Sequence, residues 1–477
     1  MYDVAIIGAG ISGAACARLL SFRDIKVALL EARDDVSMGT SKANSAIVHA
    51  GYDGRPGTLM ARFNVLGNSM YDSWCADLDV PLDRCGSLVL AFDDQQEREL
   101  QRLLASGREN GVPRLEIISG DQVRELEPHI NPQVKSALYA RTGGITCPFE
   151  LTIACCENAA ENGVDIVTGF RVSAIKKDKH FSILARDGRA INARFIINAA
   201  GLYSDDIARM VGDDSFNIKP RQGEYMVLDK AVGHMAKRVI FQTPSKMGKG
   251  ILVSPTVDGN IFAGPTARDS DQRDDTTTTA LGMAELSKMA KISMPEIPMN
   301  KVITSFTGIR AISDTGDFVI GASKADPFFI NCAGICSPGL TAAPAFAEHI
   351  VEILEKSGLK MEFKENYNPK RGRIRRFADM SDDERSEAIA GNPLYGRVIC
   401  RCETITEAEI VEAVRRGARS VDGVKLRCRA GMGRCQGGFC SPKVMEIISR
   451  EAGMPMEKVT KFGGDSYMLT GLIKEGN

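Results

Sequence analysis

The stretch MYDVAIIGAGISGAACARLLSFRDIKVALLE, residues 1–31, decides the fold. It reads as a strand (DVAIIG), a glycine turn, a helix (AACARLLSF) and a second strand (KVALLE), which is the βαβ opening of a parallel sheet. Gly8, Gly10 and Gly13 form GxGxxG directly after the first strand and at the start of the helix. Gly8 permits the tight turn, Gly10 lets backbone approach a pyrophosphate, and Gly13 lets the helix pack closely on the strand. The helix start then turns free N–H groups and its positive dipole end toward the phosphates. Glu31 ends the second strand, 18 positions after Gly13, and is placed to accept hydrogen bonds from a ribose diol. A plain turn is the alternative for an isolated GxGxxG. The complete unit argues for a dinucleotide, either FAD or NAD.

Further along the chain, ARFIINAAG (193–201) and FFINCAGI (328–335) have the look of buried strands ending in glycine, as in a parallel sheet whose carboxyl ends face a ligand. Between them EYMVLDK, RVIFQT, GILVSPT and NIFAGPT are short β-type runs with turn signals, which predict an inserted antiparallel-sheet domain. After about residue 355 the texture becomes charged and poor in aliphatics, a linker with one short exposed helix starting near Ser381. From Arg397 a new domain begins. Thr406 and Glu409 have capping-box spacing before one helix, and KVMEIISREAG supplies a second amphipathic one. The expected class is α/β: a Rossmann-like domain over residues 1–355, a linker over 356–395 and a small helical domain with its tail over 396–477. Within the first domain, the dinucleotide parts are expected at about 1–75, 145–210 and 305–355, and the substrate parts at about 76–144 and 211–304.

Length and composition agree. At roughly 150 residues per domain, 477 residues make two or three folded units. Hydrophobic residues at 44% and charged residues at 25% exclude a disordered or collagen-like chain. Sixty basic against sixty-one acidic residues leave no global field to hold nucleic acid or anionic lipid. No apolar stretch reaches the 18 or so residues needed to span a bilayer. The amino terminus lacks a basic n-region, so it reads as the first structural element, and a cytoplasmic site is expected. The thirteen cysteines are then buried thiols or metal ligands before they are disulfides.

Five of those cysteines fall between 400 and 440. Cys400 and Cys402 form CxC, and Cys435 and Cys440 close RAGMGRCQGGFC, so four thiolates in two pairs make a metal site. Tetrahedral zinc is one reading, although zinc pairs usually run CxxC. The CxC and CxxxxC spacing resembles the bacterioferritin-associated-ferredoxin-like [2Fe-2S] domain, which implies a cluster held by Cys400, Cys402, Cys435 and Cys440. Arg401, Arg429 and Arg434 are then expected to offset its charge, with Cys428 a bystander.

One amino-terminal fingerprint, an inserted domain and later glycine-ended strands together resemble the D-amino-acid-oxidase-like flavoprotein superfamily. The resemblance is carried by TSKANSAIVHAGYD (40–53), FIINAAGLYSDDIA (195–208), TGIRAISDTGDFVIG (307–321) and GICSPGLTAAPAFAEHI (334–350). It implies FAD, with Ser12, Thr40, Ser41, Asn44, Ser45 and Gly201 along the pyrophosphate and flavin and Val172 meeting the adenine by its backbone. Gly339, Leu340 and Thr341 would present N–H groups to the flavin's pyrimidine edge, where reduction adds negative charge.

Within the segment so placed, His49 is the expected base for a substrate hydroxyl proton, since imidazole titrates near neutrality. Arg310 is the expected anion clamp, a planar fork suited to carboxylate or phosphate; a surface ion pair with a nearby aspartate is its alternative. Lys249 is a second cationic candidate. Two families of this superfamily are resembled. The anaerobic glycerol-3-phosphate dehydrogenase catalytic subunit joins the same fold to the same cluster domain, and the L-2-hydroxyglutarate dehydrogenase group is resembled by NSAIVHAGYDGRPGTLMARFNVLGN. Leu252 stands where the second group tends to carry a histidine, whereas GICSPGLT departs from the first group's GGK-type ending. The expectation is an FAD-dependent dehydrogenase of a small anionic secondary alcohol, sn-glycerol 3-phosphate first and L-2-hydroxyglutarate second. An amine or imino-acid dehydrogenase and an electron-transfer subunit are further readings. Electrons would leave through the cluster to a redox partner subunit or a membrane-linked acceptor, so any membrane association would be made through that partner.

Overall fold

The computed structural model describes residues 1–244 and 250–471. They form two compact units: residues 1–30, 37–166 and 172–371 make the first, and residues 31–36, 167–171 and those from Gly372 onward make the second.

The first unit is built on the opening motif. Strand Tyr2–Ile7 runs parallel to Val27–Leu30 on one side and to Ala190–Asn198 on the other, with Val4 opposite Val27 and Phe195. Ala190–Asn198 pairs in turn with the parallel strand Phe329–Ala333, Ile196 facing Phe329. Apolar runs more than a hundred residues apart thus become neighbours in one eight-stranded sheet, with their glycine-bearing ends on one edge. Helix Ile11–Ser21 is buried along nearly its whole length, and Ala14, Ala15, Cys16 and Ala17 have no exposed surface. These small side chains let it pack against the Pro148–Glu161 and Gly339–Lys356 helices at once.

The second layer of this unit is a nine-stranded sheet. Its spine is the antiparallel pair Ile218–Leu228 and Val302–Ser313, in register from Ile218 opposite Ser313 to Val227 opposite Thr304, with a shift before Leu228 meets Val302. One pairing departs from the antiparallel expectation: Val239–Gln242 lies parallel to Ser87–Ala91, joined by a long connection that permits a crossover. Leu88, Leu90, Leu228, Ile240, Val253 and Ile261 fill the core, and Leu286 of the Ala280–Ser293 helix covers it. Its sheet draws strands from 87–140 as well as from 218–313.

In the second unit helix Asp382–Gly391 begins at the Ser381 capping box, as its sequence predicts. Helix Glu407–Arg415 begins where the Thr406 N–H donates to Glu409 Oε2 at 2.7 Å, and Ser441–Ala452 is the second amphipathic helix. A further helix, Val421–Cys428, carries no periodic signal because it is short and contains Gly423. Ser420 caps it, and Arg429 ends it in the left-handed conformation at φ 69°.

Candidate functional site

The glycine turn has the close approaches its spacing requires. A Cβ on Gly13 would lie 1.9 Å from the Gly8 carbonyl oxygen, and one on Gly8 (φ 106°) 2.4 Å from that of Ala199. A Cβ on Gly10 would meet only the Ser41 hydroxyl, at 3.0 Å, so its remaining side is open. The Ile11 N–H donates to Ser41 Oγ at 2.8 Å, while those of Ser12 and Gly13 find no acceptor among the described residues. These are the open donors a pyrophosphate takes.

A second set of open donors lies at the start of helix Gly339–Lys356. No acceptor among the described residues takes the Leu340 and Thr341 N–H groups. The Tyr71 hydroxyl donates to the Leu340 carbonyl at 2.5 Å and holds this turn in place. The chemistry of the residues therefore fits a flavin dinucleotide, with one helix start for its phosphates and another for its electron-rich ring edge.

Between them, the candidate segment 40–49 is held by its own side chains. Thr40 Oγ1 donates to the Ile309 carbonyl at 2.7 Å, and Asn44 Nδ2 donates to the carbonyls of Thr40 and Ser41 at 3.3 and 3.0 Å. The hydroxyls of Ser45 and Tyr225 are 3.1 Å apart, and Tyr225 stacks on Phe306 with ring centroids 4.7 Å apart. Thr40, Ser41 and Asn44 thus shape the segment through these bonds. Gly201 has a φ of 58° and open space where a Cβ would stand. Val172 opens its strand and pairs with Ala185. Glu31 follows strand Val27–Leu30 directly, and its Oε1 accepts the Arg33 N–H at 2.8 Å.

His49 is half-buried and fixed through its backbone. Its N–H donates to Thr341 Oγ1 at 2.9 Å, and its carbonyl accepts from Asn68 Nδ2 at 2.9 Å. The imidazole Nε2 lies 3.4 Å from Ser337 Oγ, and the ring sits beside Phe241 with centroids 6.0 Å apart. Sequence reasoning missed Ser337, Asn68, Tyr71 and Tyr225. Ser337 lies inside the GICSPGLT stretch, which was its available signal; the others come from a helix and a strand whose residues look like ordinary core.

Arg310 lies on strand Val302–Ser313, directly after the carbonyl that Thr40 grips. It forms no ion pair among the described residues, and its Nη2 lies 3.4 Å from the Thr266 carbonyl. The nearby aspartates are engaged elsewhere: Asp314 accepts from Asn217, and Asp317 accepts the Leu59 and Met60 N–H groups at 2.8 and 2.9 Å. The guanidinium therefore keeps donors for an anion. Lys249 lies outside the described residues.

In the second unit the four thiols form a row in which each touches the next. Cys440 contacts Cys400, Cys400 Sγ is 3.9 Å from Cys402 Sγ, and Cys402 Sγ is 3.9 Å from Cys435 Sγ. Among the described residues no three histidine, cysteine or carboxylate side chains converge as a single-ion site. The Gly431 N–H donates to Cys400 Sγ at 3.5 Å, and a Cβ on Gly433 would lie 2.6 Å from Cys402 Sγ. The Phe439 N–H lowers the Cys435 thiol and Cys400 lowers that of Cys440, whereas the hydrogen bond with Cys440 raises the Cys400 thiol and burial pushes that of Cys402 up to about 11. Cys428 stays apart: its thiol donates to the Val424 carbonyl at 3.3 Å, and burial pushes it up to about 12. Arg429 departs from its expected part, since its Nε pairs with the buried Glu403 at 3.1 Å.

Comparison with known proteins bears on both sites. Residues 3–353 match the family model described as FAD dependent oxidoreductase, and residues 398–450 that of the BFD-like [2Fe-2S] binding domain. The chain is 49% identical to a glycerol 3-phosphate dehydrogenase of Caloramator mitchellensis, over 99% of each chain. A solved structure, dithionite-reduced L-alpha-glycerophosphate oxidase from Mycoplasma pneumoniae with FAD bound, superimposes with a TM-score of 0.74 at 31% identity, over 78% of this chain and 98% of that one. An L-2-hydroxyglutarate dehydrogenase of Nematostella vectensis is 30% identical over 56% of this chain and 62% of its own.

Proposed function

Because the chain belongs to the FAD-dependent oxidoreductase family, whose model spans most of its length, we propose that it oxidises sn-glycerol 3-phosphate to dihydroxyacetone phosphate. Electrons then leave through a [2Fe-2S] cluster to a separate redox partner. The observation that carries this reading is the likeness to a glycerol 3-phosphate dehydrogenase along the whole chain, cluster-binding stretch included. When bound, FAD supplies the two-electron acceptor for the carbon-bound hydride, and the cluster supplies one-electron transfer.

The chain's own groups do the rest. His49 Nε2 takes the substrate's hydroxyl proton, and Ser337 Oγ beside it orients the imidazole. The Thr341 and Asn68 bonds hold the His49 backbone, so the base keeps one position relative to the start of the 339–356 helix. Arg310, whose charge no carboxylate of the described residues cancels, holds the phosphate. Ser12, Gly13, Leu340 and Thr341 bind FAD by backbone N–H groups, and Cys400, Cys402, Cys435 and Cys440 ligate the cluster. No helix among the described residues is long and apolar enough to cross a membrane. We assign the enzyme to the cytoplasm, with the partner supplying any link to a membrane carrier.

The test is anaerobic mixing of the FAD-loaded protein with sn-glycerol 3-phosphate or with L-2-hydroxyglutarate. Bleaching of the flavin bands by the phosphate ester, and not by the hydroxy acid, is expected. The reverse preference would transfer the assignment to 2-hydroxy acids.

A further inference from the structure

On one face of the nine-stranded sheet, Arg221 stands between Arg310 of strand Val302–Ser313 and Asp269 of strand Arg268–Asp269, directly opposite each. Residues so paired have Cβ atoms about 5 Å apart, and like charges placed opposite one another are destabilising. Arg221 answers this with Asp269, to which its Nε and Nη2 donate at 2.5 and 3.1 Å. Arg310 leans the same way. It crosses the middle strand at Gly223, where a Cβ would stand 2.8 Å from its Nη2, and reaches the Thr266 carbonyl. Both guanidinium groups therefore lie toward the segment 266–269.

This face also borders the candidate site. A Cβ on Gly308, two residues before Arg310 on its strand, would lie 1.9 Å from the Ala43 carbonyl oxygen, inside the segment 40–49. The Cys336 thiol is near enough to act on the Arg221 charge, and the next residue, Ser337, has its hydroxyl 3.4 Å from His49 Nε2.

The pair with Asp269 is one that a ligand can replace. The Asp269 side chain is 76% exposed and that of Arg221 42%, and ion pairs so open to water contribute little. Lys219, two residues before Arg221 on the same strand face, also acts on Asp269 and stays as its cation when Arg221 turns away. A phosphate ester carries close to two negative charges near neutrality and three terminal oxygens, which suits two guanidinium forks meeting at one point. A single carboxylate, with one charge and two oxygens, is satisfied by one fork.

Resting on the glycerol phosphate reading above, we propose that Arg221 leaves Asp269 when substrate binds and joins Arg310 on the phosphate, so that two arginines hold the dianion together. Two readouts on the full-length, FAD- and cluster-loaded protein test this: calorimetric titration with inorganic phosphate, and the concentration of sn-glycerol 3-phosphate that half-saturates anaerobic flavin reduction. Arg221→Met should weaken phosphate at least tenfold and raise the half-saturating concentration by a similar factor, and Arg221→Lys should recover part of each. Asp269→Asn should act in the opposite direction and tighten phosphate severalfold, because it releases Arg221 without removing it. An ion pair that only braces the sheet would make Arg221→Met and Asp269→Asn alike. Unchanged flavin absorption shows that each variant is folded, and if Arg221→Met loses it, the sign of the Asp269→Asn effect decides. Reduction at the same half-saturating concentration in the wild-type and Arg221→Met proteins, or weaker phosphate binding in Asp269→Asn, would overturn the proposal and leave the glycerol phosphate reading standing. Phosphate binding that depends on Arg221, in a protein whose flavin glycerol phosphate does not reduce, would support the paired anion site and overturn that reading instead.

Discussion

The His49 N–H donates to the Thr341 hydroxyl at 2.9 Å, so the proposed base and the helix start proposed to face the flavin edge are one mechanical piece. Thr341 is fully buried and passes its own hydrogen on to the Ile47 carbonyl at 3.2 Å. Thr341→Val strands the His49 N–H and should cost about 1–3 kcal/mol of stability. It should also lower kcat, whereas Thr341→Ser restores both. His49→Gln should keep FAD and lower kcat about 10²- to 10⁴-fold. Thermal unfolding and steady-state rates separate the two: a Thr341→Val enzyme with unaltered kcat would break the link.

Arg310 is read as the phosphate holder, and Gly223 makes room for it. A Cβ at Gly223 would come within 2.8 Å of Arg310 Nη2. Arg310→Ala should lower kcat/KM by about 10- to 100-fold, equivalent to the ~1.5–3 kcal/mol of a hydrogen bond to a charged group. Most of that loss should be in KM. Gly223→Ala should fall in the same direction, by displacing the guanidinium. Substrate-concentration curves for the three proteins check both, and an unaltered KM in Arg310→Ala would remove it from the site.

The row of four thiols predicts an unequal response to serine. Cys435→Ser should abolish the cluster absorption while leaving the flavin reducible by substrate, because the thiol and flavin roles belong to different residues. Cys428→Ser should keep the cluster, since that thiol is bonded to Val424. Visible spectra and iron content of both variants decide. A cluster that survived in Cys435→Ser and vanished in Cys428→Ser would exchange the two assignments.

Asp205 is an ion-pair anchor of the first unit that acid should release. Burial works to raise its pKa, but the Arg273 hydrogen bonds at 2.8 and 2.9 Å and the Ile218 N–H outweigh it, and the net shift is downward. The folded state therefore holds this proton less readily than the unfolded chain. Its stabilisation is fully present above the unfolded value of about 3.9 and is lost as pH falls through the lower folded value. Asp205→Asn should cost ~1.5–3 kcal/mol near neutrality, and the gap should close in denaturation curves taken below about pH 4. A gap that widened on acidification would reverse the assigned shift.

The parallel core was legible because its signals are local. GxGxxG, the flanking apolar runs and the glycine-ended strands each state their own conformation, and residues 2–7, 27–30, 190–198 and 329–333 do lie side by side. The CxC and CxxxxC spacing was equally readable, because cysteines two or five residues apart are kept near each other by the chain itself, and the four thiols do lie in one row. What escaped was non-local. Ser337 beside His49, Tyr225 against Ser45 and Tyr71 under Leu340 are brought together by packing across more than a hundred residues, and none has a spacing that announces it. Arg429 shows the converse, where the local reading as a cluster counter-charge lost to Glu403, buried beside it. Helix Val421–Cys428 was hidden by its length, since tertiary packing of Val421 and Val424 holds it more than propensity does.

In the function proposed above, electrons from a phosphorylated secondary alcohol pass through this one polypeptide, from flavin to iron–sulfur cluster. The most direct measurement is electron paramagnetic resonance of the air-free, fully loaded protein, frozen after addition of sn-glycerol 3-phosphate and paired with its optical spectrum. Loss of the oxidised flavin bands together with the signal of a reduced [2Fe-2S] centre is expected, and neither change in Arg310→Ala at the same low substrate concentration. Flavin bands and cluster both untouched by saturating glycerol phosphate would contradict it.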